Sequence, residues 1–154
     1  MRVVVCLTSL LLGSAAAAAQ LAPNAHKDQP HDLTQEQFAE NDRLIAPYVR
    51  AAKETYPAAR VRFLAGLPMG EHFFVVTRLV DPLGHWEQVF IRVQKIEGDV
   101  VTGIVSSQIM LVSGFKAGQS YTLKEESLID WLITKPDGSE EGNVVGKFLD
   151  TYRR

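Results

Sequence analysis

Residues 71–84, EHFFVVTRLVDPLG, and residues 85–100, HWEQVFIRVQKIEGDV, decide the fold. Aromatic and β-branched residues fill both, and a two-residue alternation replaces the helical spacing found upstream. Asp81-Pro82-Leu83-Gly84 reads as a turn, because proline presets the backbone at the second position. Glu97-Gly98-Asp99-Val100 reads as a second tight turn. Strands are therefore expected over residues 71–80, 85–96 and 101–111. If Asp81 faces Gly84, then Arg78 stands opposite Glu87, Val76 opposite Val89 and Phe74 opposite Ile91. One opposite-charge pair and two apolar pairs agree with that register. The second turn sets Val93 opposite Ile104. The expected core is Phe74, Val76, Val89, Ile91, Val93 and Ile104.

The other face of this hairpin is apolar too, with Phe73, Val75, Leu79, Trp86 and Phe90. A sheet apolar on both sides must be covered twice or rolled up. Gly103, inside the third strand, would allow strong curvature. Tyr121-Thr122-Leu123 starts a fourth strand, and residues 128–134 form either a fifth strand or a turn of helix. Upstream, Thr34-Gln35-Glu36-Gln37 has the spacing of a capping box. It opens a helix over residues 35–45. Pro47 suits the first turn of a second helix, or of a kinked continuation, reaching Tyr56. Val49, Ala52 and Tyr56 share a face of it. Pro57 interrupts, and residues 58–64 form a further short helix before Gly66, Pro68 and Gly70. The expected fold is α+β, with N-terminal helices packed on a curved, mainly antiparallel sheet of four to five strands.

The N-terminus reads as an address. Arg2 precedes an apolar run over residues 3–12, Gly13-Ser14 breaks it, and alanines at 15–19 offer a cleavage site, the layout of a secretory signal peptide. The run is about half of the ~20 residues that a spanning helix needs. Residues 1–19 are thus expected to be removed, residues 20–33 to form a flexible lead-in, and residues 34–154 to form one domain. The expected localisation is periplasmic or secreted, without stable membrane insertion after cleavage. Cys6 is the only cysteine and lies inside the leader, so the domain must be held by packing rather than disulfides. Sixteen Lys and Arg against eighteen Asp and Glu give a net charge of −2. No basic stripe calls for nucleic acid.

Most catalytic signatures are missing. There is no serine-hydrolase elbow, no zinc helix motif, no Walker loop and no dinucleotide glycine fingerprint. Asp137, Ser139, Glu141 and Gly142 imitate the start of a calcium loop, but Phe148 stands where the bidentate glutamate belongs. An acidic surface turn is the expected reading. His26 and His31 lie in the lead-in with no scaffold to fix their spacing, and no metal site is expected of them. No cofactor is expected either. His72 and Glu87 are candidates for acid–base chemistry, yet no third group orients them. Asp130, inside the apolar run Ile129-Asp130-Trp131-Leu132, is costly to bury unless paired or capping backbone N–H groups. Ile129 and Ile133 flank Trp131 on one apolar face, which suggests a core position for the ring.

From about Ala51 to Arg154 the chain resembles the YegJ-like bacterial family, a domain of unknown function. The resemblance is carried by residues 58–68, 74–80 and Trp86-Glu87-Gln88-Val89-Phe90-Ile91, then by Gly103, Gly114 and Gly118, and last by Ile129-Asp130-Trp131 and residues 142–148. It implies a small exported α+β domain without assigned chemistry, and a likeness to immunity proteins that bind and block a toxin. The expected function is a non-enzymatic module that binds an unknown protein or small ligand in the cell envelope. Trp86, Glu87, Phe115, Asp130 and Trp131 are its candidate binding residues. The alternative is an envelope hydrolase using carboxylates such as Glu87 and Asp130.

Overall fold

A computed structural model describes residues 35–152, with side chains from residue 39 onward. The leader, the lead-in with its two histidines, and Thr34 of the capping box lie outside the described residues. The order of elements is α1 (Gln35–Ala65), β1 (His72–Val80), β2 (Trp86–Glu97), β3 (Val100–Val105), β4 (Ser120–Lys124), a 3-10 turn (Glu125–Ser127), β5 (Asp130–Thr134), β6 (Glu140–Gly142) and α2 (Val144–Tyr152). Six antiparallel strands form one open sheet in the order β4-β3-β2-β1-β5-β6. The fold is α+β. The sheet has six strands rather than four to five, and a second helix closes the chain instead of all helices preceding the sheet.

The three short helices expected upstream are a single one. Pro47 and Pro57 both lie inside α1, and both are exposed. Each removes one backbone donor, but on the outer side of the helix the freed carbonyl can turn to water. The buried stripe of Ile45, Ala52, Tyr56 and Ala59 runs unbroken past both prolines. Alanine at 52 and 59 brings the helix axis close to the sheet. The helix is also tethered laterally: the Tyr56 hydroxyl donates to Glu125 Oε1 at 2.9 Å, and Arg60 Nε donates to the same oxygen at 2.7 Å. Burial, then the bond to Glu125, holds the Tyr56 phenol above its usual range.

The β1–β2 hairpin differs from expectation by one residue. Asp81 N donates to His85 O, Gly84 N donates to Asp81 O, and Gly84 takes φ 85°. The turn is therefore the three-residue kind, a tight turn followed by a left-handed glycine. Val75 then pairs with Ile91, Thr77 with Val89, and Arg78 with Gln88. A one-residue slip exchanges faces. Phe73, Val75 and Leu79 join Val89, Ile91, Val93, Trp131 and Ile133 in the main core under α1, with Ala52, Tyr56 and Ala59. Phe74 and Val76 instead form a smaller cluster on the opposite face with Leu132, beside Phe90 and Ile129. Arg78 bonds Asp42 of α1 at 2.6 Å rather than Glu87.

The second hairpin keeps its expected register beside the turn, where Glu97 pairs with Val100 and Ile96 with Val101. Gln94 then forms a bulge, so Val93 meets Gly103, and Ile104 meets Arg92 on the second face, half-buried, outside the core it was expected to join. The bulge returns Ile96 to the core face beside Val93. Only glycine fits at 103, because a Cβ there would collide with the carbonyl of Arg92. The third strand ends at Val105, and of residues 128–134 the stretch Asp130–Thr134 is the strand β5 rather than a turn of helix. At the other end of the chain, α2 packs on α1 and β5, with Tyr48 and Phe148 stacked 4.0 Å apart.

Candidate functional site

Four acidic side chains are largely withdrawn from water, and what each one bonds separates scaffold from site. Asp81 is the most heavily engaged. It accepts from the Leu83 and His85 amides, from His85 Nδ1 at 3.0 Å, and from the Ser113 amide and hydroxyl at 3.2 and 2.9 Å. Burial pushes its carboxyl up, but the bonds from Ser113 and His85 together outweigh burial and hold it well below the usual range. Glu87 shares the core face with Leu79, its partner across the hairpin, and accepts from the amides of Met110 and Leu111 at 3.1 and 3.0 Å. These two acids pin the connection between β3 and β4 to the hairpin, so that Val112 drops into the core and Phe115 packs edge-on against Tyr121.

Asp130 pairs with Val76 and so lies on the opposite face from Glu87. It is 1% exposed, and accepts from the Val145 amide at 2.7 Å and the Trp131 amide at 2.8 Å. Val145 lies in the first turn of α2, so this carboxylate satisfies donors that the helix leaves open. Burial raises the Asp130 carboxyl, and the backbone bonds only partly oppose that. Trp131 is buried in the main core, its indole N–H donating to Ala52 O at 3.0 Å and Thr55 Oγ1 at 3.1 Å. Trp86 is half-buried, with the Arg78 guanidinium 4.1 Å above its ring. The five side chains weighed from the sequence are thus spread over both faces of the sheet and do not converge.

The imitation calcium loop is also engaged internally. Asp137 accepts from the Ser139 amide and hydroxyl, which lower its carboxyl. Glu141 is bridged by Lys135 at 2.6 Å and by Arg62. Among the described residues no group of three or more His, Cys, Asp or Glu side chains could hold a metal ion.

The fourth acid is Glu71, at the opposite end of β1 from Asp81. Here α1 stops at Ala65, Gly66 takes φ 94°, and its amide bonds back to Phe63 O. A tight turn follows, in which Glu71 N donates to Pro68 O, and Gly70 at φ 85° lets the chain lie against Pro136. Between the helix end and the strands is a cleft of about 340 Å³, lined by Phe63, Gly66, Leu67, Glu71, His72, Phe73, Arg92, Val93 and Gln94. The Glu71 side chain is 12% exposed, and Oε2 is buried without a hydrogen-bond donor. Its cationic neighbours are Arg62 at 3.7 Å and, further off, Lys135, and both also serve Glu141. His72, weighed from the sequence beside Glu87, is here exposed at the cleft and separated from Glu87 by most of β1.

Sequence reasoning passed over Glu71, Arg92 and Gln94. Only Gly66, Pro68 and Gly70 hinted at the site, as breakers that force the chain to double back over the strand ends. No family model, no curated protein and no solved structure matches the chain. The resemblance to the YegJ-like family rests on the quoted residues alone.

Proposed function

We propose that the protein is an exported, non-enzymatic binding module, and that the end of α1 carries its binding site. The observation that supports this reading is the cleft beside Glu71, where a carboxylate with one donor-less oxygen stands among Phe63, Leu67, Phe73 and Val93. Concave apolar walls with few polar groups are the usual form of a ligand site. A protein partner, as an immunity or inhibitor role would need, rests on the resemblance to the YegJ-like family. Export is supported by the layout of residues 1–19. No described helix is long and apolar enough to cross a membrane. The hydrolase alternative gains nothing from geometry, because Glu87 and Asp130 sit on opposite faces and each is held by backbone amides.

Two measurements test the reading. Protein recovered from cells should begin near Gln20, whereas a start at Met1 in a cytoplasmic fraction would remove export. A thermal-shift screen of small metabolites should give ligands that raise the melting temperature and move the amide resonances of Leu67, His72 and Val93. Stabilising ligands that perturb only other parts of the sheet would place the site elsewhere.

A further inference from the structure

We propose that residues 20–34, ahead of α1, dock across the face of the sheet turned away from the main core and cover it, in place of the flexible lead-in expected from composition. The proposal is independent of the cleft at the end of α1.

The first observation is burial. On this face Phe74 and Leu132 are each 2% exposed and Val76 is 8% exposed, and the three form one cluster. Among the described residues, the apolar side chains packed against that cluster are Phe90 of β2 and Ile129 just before β5, and none comes from α1 or α2. Side chains standing side by side on one sheet face leave their tips open to water, so a phenylalanine this deeply buried needs chain laid over it.

The second observation is where the chain enters. Arg78 alternates with Val76 along β1 and so stands on this face, yet it bonds Asp42, near the start of α1, at 2.6 Å. The start of α1 therefore overhangs this face, whereas Phe63, near its end, packs on Phe73 of the main core. Residues preceding Gln35 leave the helix on the side of the Phe74 cluster. At about 3.3 Å per extended residue, residues 20–34 reach ~50 Å, against about 24 Å for the width of six strands. The helix delivers this segment to the face at a local concentration that a second copy of the chain does not match.

The third observation is chemistry. Arg78 Nε and Gln88 Nε2, on residues paired across β1 and β2, are buried without acceptors. Arg92 stands on the same face, paired with Phe74 and Ile104. Asp130 on that face is already held by the Trp131 and Val145 amides. Residues 20–34, QLAPNAHKDQPHDLT, bring Asp28 and Asp32 against a single lysine, carbonyls for the two unmet nitrogens, and Leu21, Pro23, Pro30 and Leu33 for the apolar cluster. Proline carries no N–H, so Pro23 and Pro30 can cross a sheet face without stranding a donor there.

The test compares the protein beginning at Gln20 with one beginning at Thr34, which keeps the capping-box threonine. Both are exposed to a soluble paramagnetic chelate that relaxes water-accessible methyl groups. In the longer protein the Val76 and Leu132 methyls should be as protected as those of Ile133 in the core. In the shorter one they should relax toward the rate of the exposed Val61, with Ile133 unchanged. Protection in both forms would mean that the helices and strands cover the face themselves, and exposure in both would mean that residues 20–34 do not lie on it; either result overturns the proposal. A spin label on Ala25→Cys tests the same contact without truncation, since Cys6 is the only native cysteine and precedes Gln20. Within one molecule it should broaden the Val76, Gln88 and Phe90 amides more than those of Ala59 and Phe63. Broadening seen only between mixed labelled and isotope-enriched copies would make the occupant a second copy, and equal or absent broadening would leave the face without this cover; both overturn the proposal. Should the shorter protein fail to fold, the spin label alone decides.

Discussion

The acids at the two ends of strand β1 are bonded in opposite ways. At the Asp81 end, carboxylates meet as many donors as they can accept, and the connection between β3 and β4 is fastened to the hairpin through Ser113, Met110 and Leu111. At the Glu71 end, the carboxylate is 12% exposed, its Oε2 has no hydrogen-bond donor, and a cleft opens beside it. Buried polar groups in folded proteins are nearly always bonded. At the Asp81 end Arg78 Nε and Gln88 Nε2 also lack partners, so the contrast is between the carboxylates rather than between the two ends as wholes. Among the four acids, the lack of a hydrogen-bond donor sets Glu71 apart.

Removing the four acids one at a time should reproduce that contrast. Asp81→Ala is expected to lower the melting temperature most, since it frees donors of Leu83, His85 and Ser113 together. Thermal unfolding checks this, and a melting temperature within error of wild type would mean that the hairpin end is not fastened as described. Glu87→Ala should cost about 2 kcal/mol in chemical denaturation, because the Met110 and Leu111 amides lose their acceptor. Amide hydrogen exchange in residues 106–119 should rise with it.

Asp130→Ala should cost about 1–2 kcal/mol, the range for a lost helix cap. Asp130→Asn keeps an acceptor for Val145 and separates the two acids by pH. The Asp81 carboxyl is depressed in the fold, so its contribution is complete above the ordinary aspartate value of about 3.9 and disappears as pH falls through the depressed value. The Asp130 carboxyl is raised, so its contribution is complete below about pH 3.9 and shrinks as pH rises through the raised value. The stability of Asp130→Asn relative to wild type should therefore improve as pH climbs from 4 to 7, as urea midpoints would record. A constant difference across that range would show that the site does not disfavour the charge. Glu71→Gln should have the smallest effect, within about 0.5 kcal/mol of wild type, because only the long, half-exposed ion pair with Arg62 is lost. A loss as large as that of Glu87 would make Glu71 part of the scaffold.

Much of the sheet was legible because alternation and turn residues are local signals. Both hairpins, the fourth strand and the α+β class follow from them. The one-residue slip of β1 on β2 was not legible, since Gly84 serves equally as the corner of a two-residue turn or as the extra left-handed residue of a three-residue one. Only the packing of Val75 against Ile91 decides. The continuity of α1 was hidden for a related reason: a proline is tolerated when its side of the helix is exposed, and exposure is a tertiary fact. Asp130 and Trp131 were readable as cap and core from the apolar run around them. Glu71 was not, because it precedes the strand like any solvated acid, and its lack of donors exists only once α1 ends above it.

Gln94 can be struck from β2 without changing which residues reach the core. Val93 and Ile96 face the same core, with two exposed residues between them where a regular strand has one. Striking out Gln94 leaves Val93, Lys95 and Ile96 in perfect alternation, with each buried residue still on its own face and a ladder that closes without a bulge. The residue is thus surplus to folding, and it stands on the wall of the cleft. Deleting it should therefore leave the core faces in place while reshaping the wall of the cleft.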